Sequence, residues 1–386
     1  MIQRHLTEKI QFLATKFPVI SITGPRQSGK TTLAQAAFPG YAYANLENLP
    51  TRKFAKENPE EFLTQSETGL IVDEAQYVPE LFSYIQVRVD ETRRNGEYIL
   101  SGSQNFLLME KITQSLAGRV AIFHLLPFSM KELKGTEFEL ASPLEYISKG
   151  FYPRIYDQDV PVDIFYPSYT LTYLERDVRL IQNVGDLDLF REFVELCAGR
   201  IGQLFNQSSI ANDAGITHPT VKKWLSILKT GFQVFTLRPY HQNFRKRIVK
   251  TPKLYFYDTG LACSLLGIQS PGELANHWAR GALFENFIIV ELMKQFYNRG
   301  RRPRFYFWRD KTGHEIDLIV DQGTTIHPIE IKSGTTLNTS FFKNLDYFNR
   351  ISENDPKLSY LVYGGSENQN RSRANVRGWA SLPEFT

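Results

Sequence analysis

Short apolar runs alternate with segments of mixed polarity over the first 133 residues of the chain. Five runs rich in β-branched and aromatic residues predict strands, at 18–23, 41–46, 69–73, 97–103 and 120–125. The segments between them have helical spacing, at 30–38, 52–65, 79–94 and about 106–117. Strands that alternate with helices predict a parallel sheet with helices on both faces.

The pattern changes after Leu133, where strand-like runs become rare and aromatic residues frequent. Three helices are predicted next, at 189–200, 208–214 and 217–229, with Ser208 and Thr217 as N-caps and Gly231 after the last helix. Two strand-like runs follow, at 232–238 and 253–258. This order predicts a winged helix-turn-helix.

The last block of the chain returns to mixed α/β character. It opens with an apolar helix at 281–296 and continues with strands at 304–308, 315–320 and 326–332, a helix near 340–352 and a strand at 358–363. The predicted fold class is α/β, with a winged helix-turn-helix between two mixed α/β parts. The predicted divisions are a parallel-sheet domain, a helical connecting region, a winged-helix domain and a C-terminal α/β domain, at 1–133, 134–188, 189–275 and 276–386.

Composition narrows the protein class only a little. The 386 residues are 42% hydrophobic, and 45 basic residues against 41 acidic ones give a net charge of +4. That balance permits nucleic acid as a partner without requiring it. Cys197 and Cys263 are too isolated for a disulfide framework or a metal site, and no signal peptide or long apolar run stands out. We therefore expect a cytoplasmic protein that does not enter a membrane.

The stretch GPRQSGKTT follows the first predicted strand and precedes the first predicted helix. Its glycines let the backbone curl so that successive N–H groups face phosphate oxygens, and the helix N-terminus adds its dipole. We expect ATP to bind to residues of this stretch, namely Gly24, Pro25, Arg26, Gln27, Ser28, Gly29, Lys30, Thr31 and Thr32. Lys30 would reach the β- and γ-phosphates, and Thr31 would bind Mg²⁺. The alternative is a glycine turn that binds nothing.

Three further positions fit the same chemistry. Asp73 ends an apolar strand, as expected of a Mg²⁺ ligand, and Glu74 follows it as a group that orients or deprotonates the attacking water. Ser103 ends the next strand and is a candidate γ-phosphate sensor, although an ordinary turn explains it equally well. Arg119 is the first candidate for an arginine finger, with a surface arginine as the alternative.

The ordered segments GPRQSGKTTL, LIVDEAQYVPEL, ILSGSQ, LAGRV and LLPFSMKEL resemble the AAA-type ATPase module of a widespread prokaryotic family. In that family this AAA_14 module is joined to a C-terminal region named DUF4143. The segments FYPRIY, YLERDV and KLYFYDTGL extend the resemblance over nearly the whole chain. The resemblance implies ATP binding and names no biological role.

A second chemical pattern lies in GHEIDLIVDQGTTIHPIEIKSG. Side chains alternate along a strand, so Glu330 and Lys332 share a face, and a hairpin would bring Asp317 beside them. This arrangement resembles the PD-(D/E)xK nuclease core, which implies Glu285, Asp317 and Glu330 as ligands of Mg²⁺ or Mn²⁺ and Lys332 as the group that positions water. Ile316 stands where the pattern often has proline. The alternative is a charged edge hairpin without catalysis.

Several residues, most of them basic, are candidates for contacts with nucleic acid. They lie on the third helix of the middle region and in two basic runs: His218, Thr220, Lys222 and Lys223, then 244–247, then Arg299, Arg301, Arg302 and Arg304. Three hypotheses follow: an ATPase that gates a DNA-directed nuclease, an ATP-switched binding module with an inactive nuclease fold, and a remodeller of a protein partner. An arginine finger from a neighbouring subunit would require a homo-oligomer.

Overall fold

The computed structural model describes residues 2–103, 115–174, 187–241 and 249–385. Three features of the sequence analysis lie wholly or mostly outside these ranges: the helix expected at about 106–117, the segment YLERDV and the basic run at 244–247. The described residues build two sheets, one from the first 124 residues of the chain and one from residue 234 onward.

The first sheet has five parallel strands in the order β2-β3-β4-β1-β5. They are β1 Val19–Gly24, β2 Ala42–Asn45, β3 Leu70–Asp73, β4 Tyr98–Ser103 and β5 Val120–His124. The predicted parallel sheet is confirmed. Because β1 pairs with β4 so that Gly24 lies opposite Ser103, the predicted phosphate turn and the polar strand ends meet at one edge.

Helices cover both faces of this sheet. They are α1 Thr7–Ala14, α2 Lys30–Ala37, α3 Leu49–Glu57, α4 Pro59–Thr64 and α5 Leu81–Thr92. The single helix predicted at 52–65 was wrong, because Pro59 cannot continue a helix and starts a new one. Helix α1 was not predicted.

A run of mostly short helices follows the first sheet: α6 Met130–Leu133, α7 Pro143–Lys149, α8 Pro153–Asp157, α9 Val162–Tyr169, α10 Leu187–Ala198, α11 Gln207–Asp213 and α12 His218–Thr230. Thr217 caps α12 as predicted. Ser208 was wrong as a cap, because Asn206 accepts the backbone N–H bonds at the start of α11. The winged helix stays a prediction.

The second sheet has eight strands in the order β12-β13-β11-β10-β9-β8-β6-β7. They are β6 Val234–Pro239, β7 Lys253–Phe256, β8 Phe305–Arg309, β9 Glu315–Asp321, β10 Ile326–Lys332, β11 Tyr360–Tyr363, β12 Gln369–Asn370 and β13 Asn375–Gly378. Helices α13 Thr259–Leu265, α14 Pro271–Asn276, α15 Arg280–Asn298 and α16 Lys343–Ser352 complete this part.

The sheet crosses the domain boundary expected between residues 275 and 276. Strand β6 pairs in parallel with β8 at Arg238 and Tyr306, so one sheet contains strands from both sides. One apolar cluster likewise extends from Leu126 to Phe385. The middle and C-terminal regions therefore share a core. In the described ranges, no helix combines the length and apolar character that crossing a bilayer requires.

His124 lies where the first sheet meets the rest of the chain. Its ring packs edge-on against Phe232 and Tyr297, with centroid distances of 5.5 and 5.2 Å, and the Thr23 hydroxyl lies 2.8 Å from Nδ1. Burial, with a smaller contribution from the charge of Arg302, lowers the pKa of this imidazole to about 4.

We expect this histidine to make the fold acid-sensitive. When the pKa of a base is lower in the folded state, the free energy of unfolding is highest above the unfolded-state pKa. It decreases as the pH falls from there toward the folded-state pKa. Between pH 7 and pH 5 the loss for His124 is about 2 kcal/mol. Urea denaturation at both pH values measures it. His124→Phe should remove this part of the pH dependence, and an unchanged dependence in that variant would contradict the assignment.

Candidate nucleotide site and carboxylate cluster

The turn between β1 and α2 forms the cradle predicted for phosphate. Gly29 begins α2 with φ +88°, a conformation that favours glycine. A Cβ atom on Gly24 would lie 2.1 Å from the carbonyl oxygen of Leu125, so the backbone there requires glycine. Both glycines of the motif are therefore needed for the path of the turn.

Lys30 folds back over this turn. Its side chain is almost completely buried, and Nζ donates to the carbonyl oxygens of Gly24 and Pro25 at 3.1 and 2.7 Å. The ammonium thus lies at the mouth of the cradle.

Asp73 gathers three hydroxyl groups at the end of β3. Thr31 Oγ1 and the Tyr43 hydroxyl donate to Asp73 Oδ2 at 2.7 and 2.9 Å, and Ser101 Oγ donates to Oδ1. Hydroxyl and carboxylate oxygens are the ligands that Mg²⁺ prefers, so Thr31 and Asp73 fit this ion. Tyr43 was not predicted, whereas Ser101 belongs with Ser103 to the polar end of β4 that was expected to face the ligand.

Glu74 is held in a left-handed conformation, with φ +53° and ψ +45°. Its Oε2 accepts a hydrogen bond from Gln76 Nε2 and lies 3.5 Å from Ser103 Oγ, while Gln76 Nε2 donates to Ser103 Oγ at 3.2 Å. Non-glycine residues in this conformation concentrate at functional sites. The structure therefore brings the predicted water-orienting acid and the predicted sensor serine together.

A cleft of about 530 Å³ opens in front of the cradle. Its lining includes Arg26, Gln27, Gly29, Lys30, Thr31, Thr32, Glu47 and Glu74 from the first domain, and Pro153, Arg154, Asp157 and Gln158 from α8. The contribution of α8 to this cleft was not predicted, although part of the helix lies in the segment FYPRIY of the family resemblance. Arg154 Nε donates to Gln158 Oε1 at 2.9 Å. An arginine from the same chain thus faces the phosphate cradle.

Arg119 does not join this site within one chain. It forms a two-pronged ion pair with Asp90, at 2.6 and 2.7 Å. Its carbonyl oxygen accepts a hydrogen bond from the N–H of Val19, which is the first residue of β1. The phosphate turn follows Gly24, the last residue of the same strand. Arg119 therefore lies at the opposite edge of the sheet, where it could serve only a neighbouring subunit.

The structure also brings together the predicted hairpin residues of the C-terminal region. Lys332 Nζ lies 2.7 Å from Glu330 Oε1 and 3.5 Å from Asp317 Oδ2, and the N–H of Ile331 donates to Asp317 Oδ2 at 2.8 Å. Burial, followed by the charge of Asp317, raises the pKa of Glu330 to about 8. The charge of Lys332 and its hydrogen bond to Glu330 act in the opposite direction and lower this pKa.

Glu285 has different partners from those expected of a metal ligand. Its Oε1 lies 3.1 Å from Lys253 Nζ and accepts from the Tyr255 hydroxyl. Lys253 also pairs with Glu315. Within the described ranges, no group of three histidine, cysteine, aspartate or glutamate side chains is arranged to hold a metal ion. The three-carboxylate metal site stays a prediction without a preformed geometry.

The candidate nucleic-acid residues are only partly available. His218, Lys222 and Lys223 are exposed on α12, and the Thr220 hydroxyl lies 2.8 Å from that of Thr217. Arg299 and Arg304 pair with Glu384 and Asp321. Arg301 and Arg302 are exposed at the end of α15.

Family models match three consecutive parts of the chain. Residues 16–134 match the AAA domain family AAA_14, residues 141–272 match the domain of unknown function DUF8612, and residues 280–383 match the domain of unknown function DUF4143. An uncharacterised protein of Mycobacterium tuberculosis is 27% identical over 88% of this chain and 75% of its own length. An uncharacterised protein of Haemophilus influenzae is 24% identical over 77% and 79%.

Among solved structures, a Walker-type ATPase of Pyrococcus abyssi aligns with 69% of this chain and 96% of its own, at 18% identity and a TM-score of 0.44. The family matches carry the assignment. Residues 16–134 are thus assigned to an AAA domain and residues 280–383 to a DUF4143 region.

Proposed function

We propose that the protein is a Mg²⁺-dependent ATPase whose nucleotide state controls how its C-terminal region binds a partner. The observation that supports hydrolysis most directly is the contact between Thr31 and Asp73, with Glu74 next in the chain. These three residues form the arrangement that P-loop hydrolysis requires, because they can bind the ion and orient a water beside the γ-phosphate.

Each side chain has a role in this proposal. Lys30 leaves the carbonyl groups it now contacts and pairs with the β- and γ-phosphates. Thr31 and Asp73 would hold Mg²⁺, which would supply charge neutralisation at those phosphates. Glu74, kept in place by Gln76 and Ser103, orients the attacking water and accepts its proton.

A continuous series of polar contacts supports the coupling. Arg4 donates to the Ser28 carbonyl of the phosphate turn at 2.8 Å and pairs with Glu132 at 3.0 Å. Glu132 also accepts a hydrogen bond from the N–H of Ser129, and the N–H of the next residue, Met130, donates to Glu291 Oε2 at 2.8 Å. Glu291 lies on α15, the helix that also carries Glu285. A shift of the turn on ATP binding would therefore act directly on the C-terminal region.

Arg154 is proposed to contact the phosphates of bound ATP from the same chain. We expect Arg154→Ala to lower kcat/KM for ATP about tenfold, because a hydrogen bond to a charged group is lost. Steady-state ATPase assays measure this. Arg350→Ala, which removes a surface arginine of α16, serves as the matched control. Equal activity of the two variants would contradict the role of Arg154.

DNA is the partner that the exposed basic residues of α12 favour. The test is ATP turnover by the whole protein with and without double- and single-stranded DNA, with cuts scored in Mg²⁺ and Mn²⁺. Stimulation by DNA without cuts supports the proposal. Turnover indifferent to DNA would point to a protein partner, and Lys30→Ala with normal ATP binding would contradict the phosphate site itself.

A metal-dependent nuclease is the second candidate, favoured by one observation. Oε2 of the buried Glu330 has no hydrogen-bond partner among the described residues, and a divalent ion would satisfy it. DNA cuts that disappear in Asp317→Ala would establish this activity. Cuts that persist in Asp317→Ala would come from elsewhere.

A further inference from the structure

Lys253 is a buried cation of the C-terminal carboxylate cluster, and one of its two partners, Glu285, is a predicted metal ligand. Its side chain is 3% exposed, and its ammonium lies between Glu285 Oε1, at 3.1 Å, and Glu315 Oε1. A buried ammonium is costly unless it is paired. Lys253 meets this condition because two carboxylates from different elements, α15 and β9, converge on it.

The remaining contacts hold both carboxylates toward this ammonium. The Tyr255 hydroxyl donates to the same Glu285 oxygen that Lys253 contacts. Arg309 NH1 lies 3.2 Å from the other oxygen of Glu315. Glu285 Oε1 thus has two partners and each oxygen of Glu315 faces a cation, so neither carboxylate is without a charged neighbour.

The charges of the cluster are nearly balanced by its own side chains. Three cations face four carboxylates, namely Lys253, Lys332 and Arg309 against Glu285, Glu315, Asp317 and Glu330. The formal excess is one negative charge. Calcium and magnesium affinity rises with the number of uncompensated carboxylates, so this cluster offers a divalent ion little.

We infer that Lys253 is a resident cation that substitutes for a divalent metal in the C-terminal cluster, so that this region binds its partner without metal-dependent cleavage. The inference deepens the proposed function, because it concerns how the C-terminal region binds its partner. It rests on that proposal only in treating the cluster as nuclease-like. It also accounts for the missing three-carboxylate geometry, since one of the predicted ligands, Glu285, is already paired.

The test is Mn²⁺ binding by the whole protein without nucleotide, followed by the electron paramagnetic resonance of free Mn²⁺. An Asp73→Asn background removes the metal ligand of the ATP site. In that background we expect Asp317→Asn to leave Mn²⁺ binding unchanged. Introducing Lys253→Met into the Asp73→Asn background, with Asp317 intact, should create a Mn²⁺ site about tenfold tighter than any weak site of the background protein. Glu315→Gln should remove that new site.

Two results would overturn the inference: a Mn²⁺ site in the background protein that Asp317→Asn abolishes, or a folded Lys253→Met variant that gains no binding. If Lys253→Met does not fold, the Asp317→Asn comparison alone decides. Lys253→Met with Glu285→Gln removes both charges of one pair and is expected to fold without gaining the site. Since nucleotide is absent throughout, failure of the ATPase proposal would leave these outcomes unaffected.

Discussion

Replacing Glu74 with glutamine is expected to lower ATP turnover about 100- to 1,000-fold while ATP still binds. The amide keeps the size of the side chain and can still contact Gln76 and Ser103, but it cannot accept a proton from the attacking water. Single-turnover hydrolysis and equilibrium binding of a fluorescent ATP analogue separate the two effects. The loss should appear in kcat, with little change in the dissociation constant.

Glu47→Gln is the matched control for this variant. Glu47 lines the same cleft and is exposed, so its replacement removes an equal charge without removing the proposed base. If both variants lose activity equally, the effect is the loss of negative charge near the phosphates. If Glu74→Gln retains full turnover, another group activates the water.

Arg4→Met is expected to destabilise the fold by about 3 to 5 kcal/mol, since it leaves a buried carboxylate without its partner. Burial would raise the pKa of Glu132, yet Arg4 and the N–H groups of Ser129 and His5 together lower it. Arg4 also donates to the carbonyl of Leu126 at 2.6 Å. Urea denaturation measures the loss, and KM for ATP should rise because the Ser28 contact is lost too.

The double variant Arg4→Met with Glu132→Gln separates the ion pair from the packing. Removing both charges should recover about 2 kcal/mol relative to the sum of the single changes. Full additivity would mean that the pair contributes no coupling energy, and the role given to Arg4 would then reduce to its contacts with backbone carbonyls.

The sequence predicted the first sheet well because its parallel strands are buried on both faces and form continuous apolar runs. The phosphate turn was equally predictable, since its chemistry depends on local backbone geometry at Gly24 and Gly29. The helix at Thr7–Ala14 was not predicted because it is short and only moderately amphipathic. Pro59 indicates a break between two helices, but the spacing of residues at 52–65 favoured one continuous helix.

The residues that sequence patterns missed act through distant partners. Arg4 meets Glu132 across 128 positions, and Lys253 meets Glu285 across 32. A lysine at the start of a strand ordinarily lies in solvent, and nothing local indicates that Lys253 is buried. Arg154 illustrates the same limit, because only the packing of α8 against the phosphate turn shows which site it faces.

The pairing of β6 with β8 has a practical consequence for any fragment of this protein. A fragment that begins near residue 280 would contain β8 without its neighbour β6, leaving a row of backbone N–H and C=O groups open on that edge. Open edges of this kind recruit strands from other molecules. Such a fragment would also uncover apolar surface from the shared core. We expect it to aggregate, whereas one that begins ahead of α10 would keep the edge covered.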